Sequence, residues 1–168
     1  MKKSIMLLSA IFVSCILLTG CGNSEGNSTG GGILNSNSGT KTCTKTSVDE
    51  DGYNTTDTMV VTYKKNKVTL VEDTNVSETD PQYIDFSLNI GKAFAEKLSE
   101  VNGFTIEYSK ENDNKIKMYM KVDFNKIDVN DVKEKLGDLY SEDEAFYSKQ
   151  DITIDDFISN NLSDYTCK

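Results

Sequence analysis

The sequence predicts an α+β fold: an antiparallel sheet of about four to five strands packed on one face by a long helix, with shorter C-terminal helices. Three observations lead to it. Between residues 58 and 124, four stretches alternate apolar and polar side chains with the period of two that a half-buried strand requires. Between the second and third of them, apolar residues recur at helical spacing. Beyond residue 128 the strand period gives way to two short helical runs and an extended end.

The chain has 168 residues, and the fold does not need its first part. Lys2 and Lys3 precede an uncharged, apolar run at 5–18. A membrane span needs about 20 such residues, whereas a signal-peptide core needs fewer. The run ends in Leu18-Thr19-Gly20-Cys21, which resembles a bacterial lipobox. On that resemblance 1–20 is a lipoprotein signal peptide, and Cys21 becomes the lipidated N-terminus. The alternative is an ordinary secretory cleavage that leaves Cys21 as a thiol. Two or more acyl chains anchor a protein stably where one does not. The expected location is therefore the extracytoplasmic face of a cell membrane, lipid-anchored.

Residues 22–41 hold six of the eleven glycines, with Asn, Ser and Thr between them. Such a stretch buries too little to offset its ordering entropy, so 21–41 reads as the lipidated cysteine and a flexible tether. Residues 42–168 form a single domain, rich in Tyr, Phe, Val and Ile, with Pro81 as its one proline.

Within that domain the elements follow in order. A first strand is expected at 43–48, ended by the acidic turn at 49–52. Met59, Val61 and Tyr63 alternate with polar neighbours, and so do Val68 and Leu70. The polar turn at 64–67 joins them into a hairpin over 58–73. Asp80 is an N-cap and Pro81 a first helical residue. Ile84, Leu88, Gly91, Ala95 and Leu98 then share one helix face, widened by Ile90, Phe94 and Val101. Asn102-Gly103 ends that helix as a left-handed cap. Phe104, Ile106 and Tyr108 form a strand, and a turn at 111–114 leads to Ile116, Met118, Met120, Val122 and Phe124 on one face. Lys117, Tyr119 and Lys121 lie on the other, so one side of the sheet is expected to be wet. Val129, Val132, Leu136 and Leu139 mark a short helix. Thr153 caps another at 154–162, with Asp156 as its reciprocal partner. The segment 164–168 runs extended.

Cys15 leaves with the signal and Cys21 takes the lipid. Cys43 and Cys167 remain for an oxidising compartment, and a disulfide between them is the natural reading. Two separate free thiols are the alternative.

Charge and composition exclude more than they assign. There are 18 lysines, 27 acidic residues and no histidine. Losing Lys2 and Lys3 leaves 16 cations against 27 anions, a net charge of −11. So acidic a chain has no affinity for nucleic acid, which is bound through basic groups. Without histidine there is no Ser-His-Asp arrangement, no Cys-His pair and no imidazole metal site. A phosphate-binding loop is absent as well. No cofactor is implied.

Three acidic clusters remain: Asp49-Glu50-Asp51; Asp138 with Glu142, Asp143 and Glu144; and Asp155-Asp156. The plain reading is solvated charge, with a helix N-terminus for the third. The first has the flavour of a calcium loop, but its remaining ligands are not at the required spacings. Of the strand tyrosines, Tyr63 and Tyr108 fall on core registers. Tyr119 falls on the lysine-bearing face and is the candidate for partner contact.

Three stretches carry a family resemblance: MVVTYKKNKV at 59–68, GFTIEY at 103–108 and KVDFNKID at 121–128. They resemble the YehR-type small bacterial lipoproteins, a family built around a domain of unknown function. The resemblance covers about 60–165. It implies an α+β domain attached to a membrane, and it carries over no enzymatic residues or disulfide.

The expected function is a non-catalytic, lipid-anchored surface protein that binds a protein, peptide or envelope component. A structural or stress-related envelope lipoprotein is the second reading. A carboxylate-dependent hydrolase is the third, and convergent carboxylates in a pocket would mark it.

Overall fold

The computed structural model of the chain describes residues 37–137 and 151–168. The signal peptide, Cys21, most of the tether, Leu139 and the acidic cluster of Asp138, Glu142, Asp143 and Glu144 lie outside the described residues.

The strands are β1 (Ser38–Val48), β2 (Asn54–Lys64), β3 (Lys67–Glu78), β4 (Phe104–Asn112), β5 (Lys115–Asp123) and β6 (Thr166–Cys167). The helices are α1 (Ile84–Leu98), α2 (Val129–Leu136) and α3 (Ile154–Asn161). One six-stranded sheet has the order β4-β5-β3-β2-β1-β6, antiparallel throughout. The expected four to five strands become six because the C-terminal end adds β6 to the open edge of β1.

The β2–β3 hairpin turns at Lys65 and Asn66, whose φ angles of 53° and 64° give the two left-handed residues of a tight hairpin turn. Asn66 N–H donates to the Asn37 carbonyl at 2.8 Å and ties the start of β1 to that turn. β1 therefore begins at Ser38, inside the stretch read as tether. Ser38 pairs with Lys64 and Lys41 with Val61, so the backbone ladder orders residues whose side chains showed no strand pattern.

Asp80 does act as a cap, but of a single 3₁₀ turn at Pro81–Tyr83, where its side chain accepts from Gln82 N–H at 3.0 Å. α1 follows, and it ends at Leu98 rather than at 102. Gly103 has another task. Its φ is +76°, and a Cβ there would lie 2.7 Å from the Ile127 backbone nitrogen. The glycine lets two chain segments pass closely at the start of β4.

The expectation that the long helix covers one face needs correction. α1 meets the sheet mainly at the β4 edge, where Gly91 lies against the Tyr108 ring, and its C-terminal part meets α2. The core is divided between two clusters. Leu98 of α1 and Val132 and Leu136 of α2 join Phe104, Ile106, Met118, Met120 and Val122 over β4 and β5. Phe157, Ile154 and Leu162 join Cys43, Met59, Val61, Val68 and Val71 over β1, β2 and β3. Phe124 touches both clusters, and its ring stands edge-on to that of Phe157, with centroids 6.5 Å apart. All three helices thus contribute to clusters on one face of the sheet.

α3 carries its expected cap. Thr153 Oγ1 accepts from Asp156 N–H at 3.1 Å and donates to the Asp156 carboxylate at 2.7 Å. α2 is capped by Asp128, which accepts from Asn130 N–H.

Candidate functional site

Tyr119 occupies the middle of the sheet face that the described helices do not cover. The pairing registers place Thr44, Thr58, Thr74, Tyr119 and Glu107 in one row across β1, β2, β3, β5 and β4. Lys117 and Lys121 flank Tyr119 on its own strand, as period-two geometry dictates. The Tyr119 hydroxyl donates to Glu72 Oε1 at 2.7 Å, and Lys121 Nζ lies 4.0 Å from the same oxygen. Partial burial, then the Glu72 carboxylate, pushes the phenol up to about 12, so the ring stays neutral and donating. The face offers a fixed aromatic ring, two cations and rows of threonine hydroxyls.

Cys43 and Cys167 are disulfide-bonded, with Cα atoms 4.0 Å apart. Their register makes the bond possible: the two residues face each other in the β1–β6 ladder. Lys168 N–H and Thr42 N–H each donate to the other residue's carbonyl beside it, at 2.9 and 3.2 Å.

Near this clasp lies a polar site that the sequence reading missed. On the core face, Asp57 stands opposite Asn75, and Met59 opposite Asp73. Asp57 and Asp73 are therefore diagonal neighbours on adjacent strands, within reach of each other. Asp57 is 7% exposed and Asp73 2%. Tyr165 donates its hydroxyl hydrogen to Asp57 Oδ2 at 2.5 Å. Burial, then the Asp57 carboxyl beside it, raises the ionisation of Asp73 to about 9. The polar row continues to Ser77, whose hydroxyl donates to Asn75 Oδ1 at 2.6 Å. A cavity of about 30 Å³ opens beyond it, lined by Asn75, Ser77, Glu78, Tyr108 and Met118 among others. At its rim Glu78 accepts from the side chain and backbone of Asn54 and meets Lys115; the Asn54 hydrogen bonds first, and then Lys115, hold its carboxyl down at about 2.

The acidic turn at 49–52 spends its first carboxylate on itself. Asp49 Oδ1 accepts from the backbone N–H groups of Asp51 and Tyr53, at 3.0 and 2.8 Å. Asp155 and Asp156 sit in the first turn of α3. Among the described residues no three acidic or thiol groups converge as metal ligands. Tyr63 and Tyr108 pack against the two clusters, on the core registers assigned to them.

No protein-family model matches the chain, and a search of curated proteins finds no match. Two solved structures share its fold. An NMR structure of a protein from Streptococcus pneumoniae TIGR4 superposes with a TM-score of 0.54 at 17% identity, over 90% of this chain and 97% of that one. The NMR structure of the E. coli YehR protein superposes with a TM-score of 0.52 at 15% identity, over 80% of this chain and 93% of that one. At such identities the likeness is one of architecture, and the fold of this chain is YehR-like.

Proposed function

We propose that the chain is a bacterial lipoprotein held on the extracytoplasmic face of the membrane through Cys21, and that it binds a protein, peptide or envelope component without catalysis. One observation carries the binding half of this reading: the described helices gather on one face of the sheet, and none of them covers the Tyr119 face. The ring is held in place by Glu72, so little side-chain freedom is lost on contact. Lys117 and Lys121 favour a partner that presents carboxylates or backbone carbonyls to them. The lipobox-like end of the leader carries the anchoring half.

The buried aspartates support a non-catalytic reading rather than the hydrolase. Asp57 and Asp73 converge as a catalytic pair does, but they are sealed, and the cavity beyond Asn75 holds about one water. Hydrolysis of a glycoside requires carboxyls several ångströms apart with a sugar between them.

Anchoring is tested by feeding cells labelled palmitate. Incorporation in the wild type and none in Cys21→Ala is expected, and equal labelling of both would refute the assignment. Binding is tested by cross-linking on intact cells followed by mass spectrometry. One reproducible partner, weakened by Tyr119→Ala, is expected. Capture of nothing above background would end the binding reading in favour of the structural one.

A further inference from the structure

Among the described residues, two buried side-chain atoms meet no hydrogen-bond partner: Asp57 Oδ1 and Asp73 Oδ1. Native proteins rarely tolerate such atoms, and each one calls for an explanation. Asp73 is walled by Met59 on β2 and Met120 on β5, which stand opposite it in the two ladders. Two ionised carboxylates side by side in that apolar setting would repel with little screening. Calcium or magnesium would need six or more oxygen ligands, and thioethers offer none. A proton needs no added volume, and it turns one unpartnered acceptor into a donor that can face the other carboxyl.

We propose that Asp57 and Asp73 share one proton at neutral pH and that this shared proton latches the C-terminal segment 164–168 onto the sheet. The link runs from Asp73 to Asp57, and from Asp57 to Tyr165, whose hydroxyl meets its other oxygen. The groups around the pair explain why the latch responds to pH. On β1, Lys45 stands opposite Asp57, but its ammonium lies 3.4 Å from Asp164 and 5.9 Å from the centre of the Tyr165 ring. β5 presents Met118 and Met120, and β3 presents the uncharged Asn75. A second negative charge on the pair would thus draw Lys45 inward, away from Asp164, and weaken two ties of the clasp together. The disulfide keeps Cys167 in place, so release is local. The high proton affinity that burial confers on Asp73 agrees with this geometry.

The test is a carbon-13 carboxyl titration of the full chain in mild detergent, disulfide intact. One aspartate step above pH 7 is expected, absent from Asp73→Asn. The Tyr165 ring and the Thr42 and Lys168 amide signals should move with the same midpoint. In Lys45→Met, which keeps both carboxyls and serves if Asp73→Asn fails to fold, the step should persist without the amide movement. Aspartates that all titrate below pH 5 overturn the shared proton. A high step that leaves Thr42 and Lys168 unmoved overturns the latch. A step displaced by millimolar calcium at fixed pH overturns both, by identifying the bound species as a cation.

Discussion

The two halves of the core face are closed by different means. Over β4 and β5, the hydrophobic cluster is supplied by one continuous stretch, 94–136. Over β1 and β2, closure brings together parts of the chain separated by 124 residues. That half uses a disulfide, the Thr42–Lys168 backbone pair, the Tyr165–Asp57 hydrogen bond and the packing of α3. The difference teaches a rule about loop length. Closing a long loop costs more entropy than closing short ones, so contacts that reward it must be strong or covalent. The half built from neighbours in sequence needs neither.

The comparison can be broken most directly at Phe157, which is fully buried and meets Phe124, the side chain shared by both clusters. Phe157→Ala should cost about 3–5 kcal/mol in denaturant unfolding. A loss under about 1 kcal/mol would mean the halves are not joined through this ring contact.

Cutting the disulfide comes next. The chain-entropy account allows about 4–5 kcal/mol for a loop this long, and measured removals fall at about 2–5 kcal/mol. The loss in Cys43→Ser with Cys167→Ser should be uneven. Amide exchange should quicken at Thr42 and Lys168 and stay slow at Val122. Uniform quickening would show one cooperative core instead of two differently closed halves.

The third prediction concerns pH. Asp73 keeps its proton in the folded state up to about 9, whereas an unfolded aspartate loses it near its ordinary value of 3.8. Between those limits the folded chain binds more protons, so this group's contribution is full in acid and is lost as pH rises. Asp73→Asn has no proton to lose. Its unfolding curve should change less between pH 5 and pH 8 than that of the wild type, and at pH 8 the variant should be the more stable of the two. The comparison between the two chains cancels Glu78, whose depressed ionisation works in the opposite direction at acid pH. Parallel pH profiles for the two proteins would show that Asp73 is ionised in the fold.

The smallest effect sharpens the comparison from the other half. In a helix interior Ala is favoured over Gly by about 1 kcal/mol. At Gly91, however, a new Cβ would lie 2.5 Å from the Tyr108 ring. Overpacking costs about 1–3 kcal/mol, so Gly91→Ala should be net destabilising by about 1 kcal/mol. A stabilised variant would mean that α1 is free to lift away from β4.

How far the sequence could be read depended on where polar residues were buried. Apolar alternation ends the second hairpin strand at Asp73 and begins the first at residue 58, although β3 runs to Glu78 and β2 begins at Asn54. Both truncations occurred beside the buried carboxyl pair. A strand is recognised by apolar alternation, and Asp57, Asp73 and Asn75 sit on the apolar register. The site concealed the ends of its own strands. The register of Asp57 with Met59 and Val61 was a usable signal, since all three share one face of β2. The general rule that aspartate faces water hides it.

The sequence by itself determined the α+β class, both tyrosine core registers, the Thr153 cap, the lysine-bearing face around Tyr119 and the approach of Cys167 to the first strand. Each follows from short-range periodicity, or from the cost of leaving helix ends and apolar side chains unsatisfied. Tertiary structure alone decided the order β4-β5-β3-β2-β1-β6, the sixth strand, the division of the core and the meeting of Asp57, Asp73 and Tyr165. Those depend on which strand edges pair and on how distant segments bury each other. Such long-range contacts set the environment of a side chain, and no local pattern of residue types encodes them.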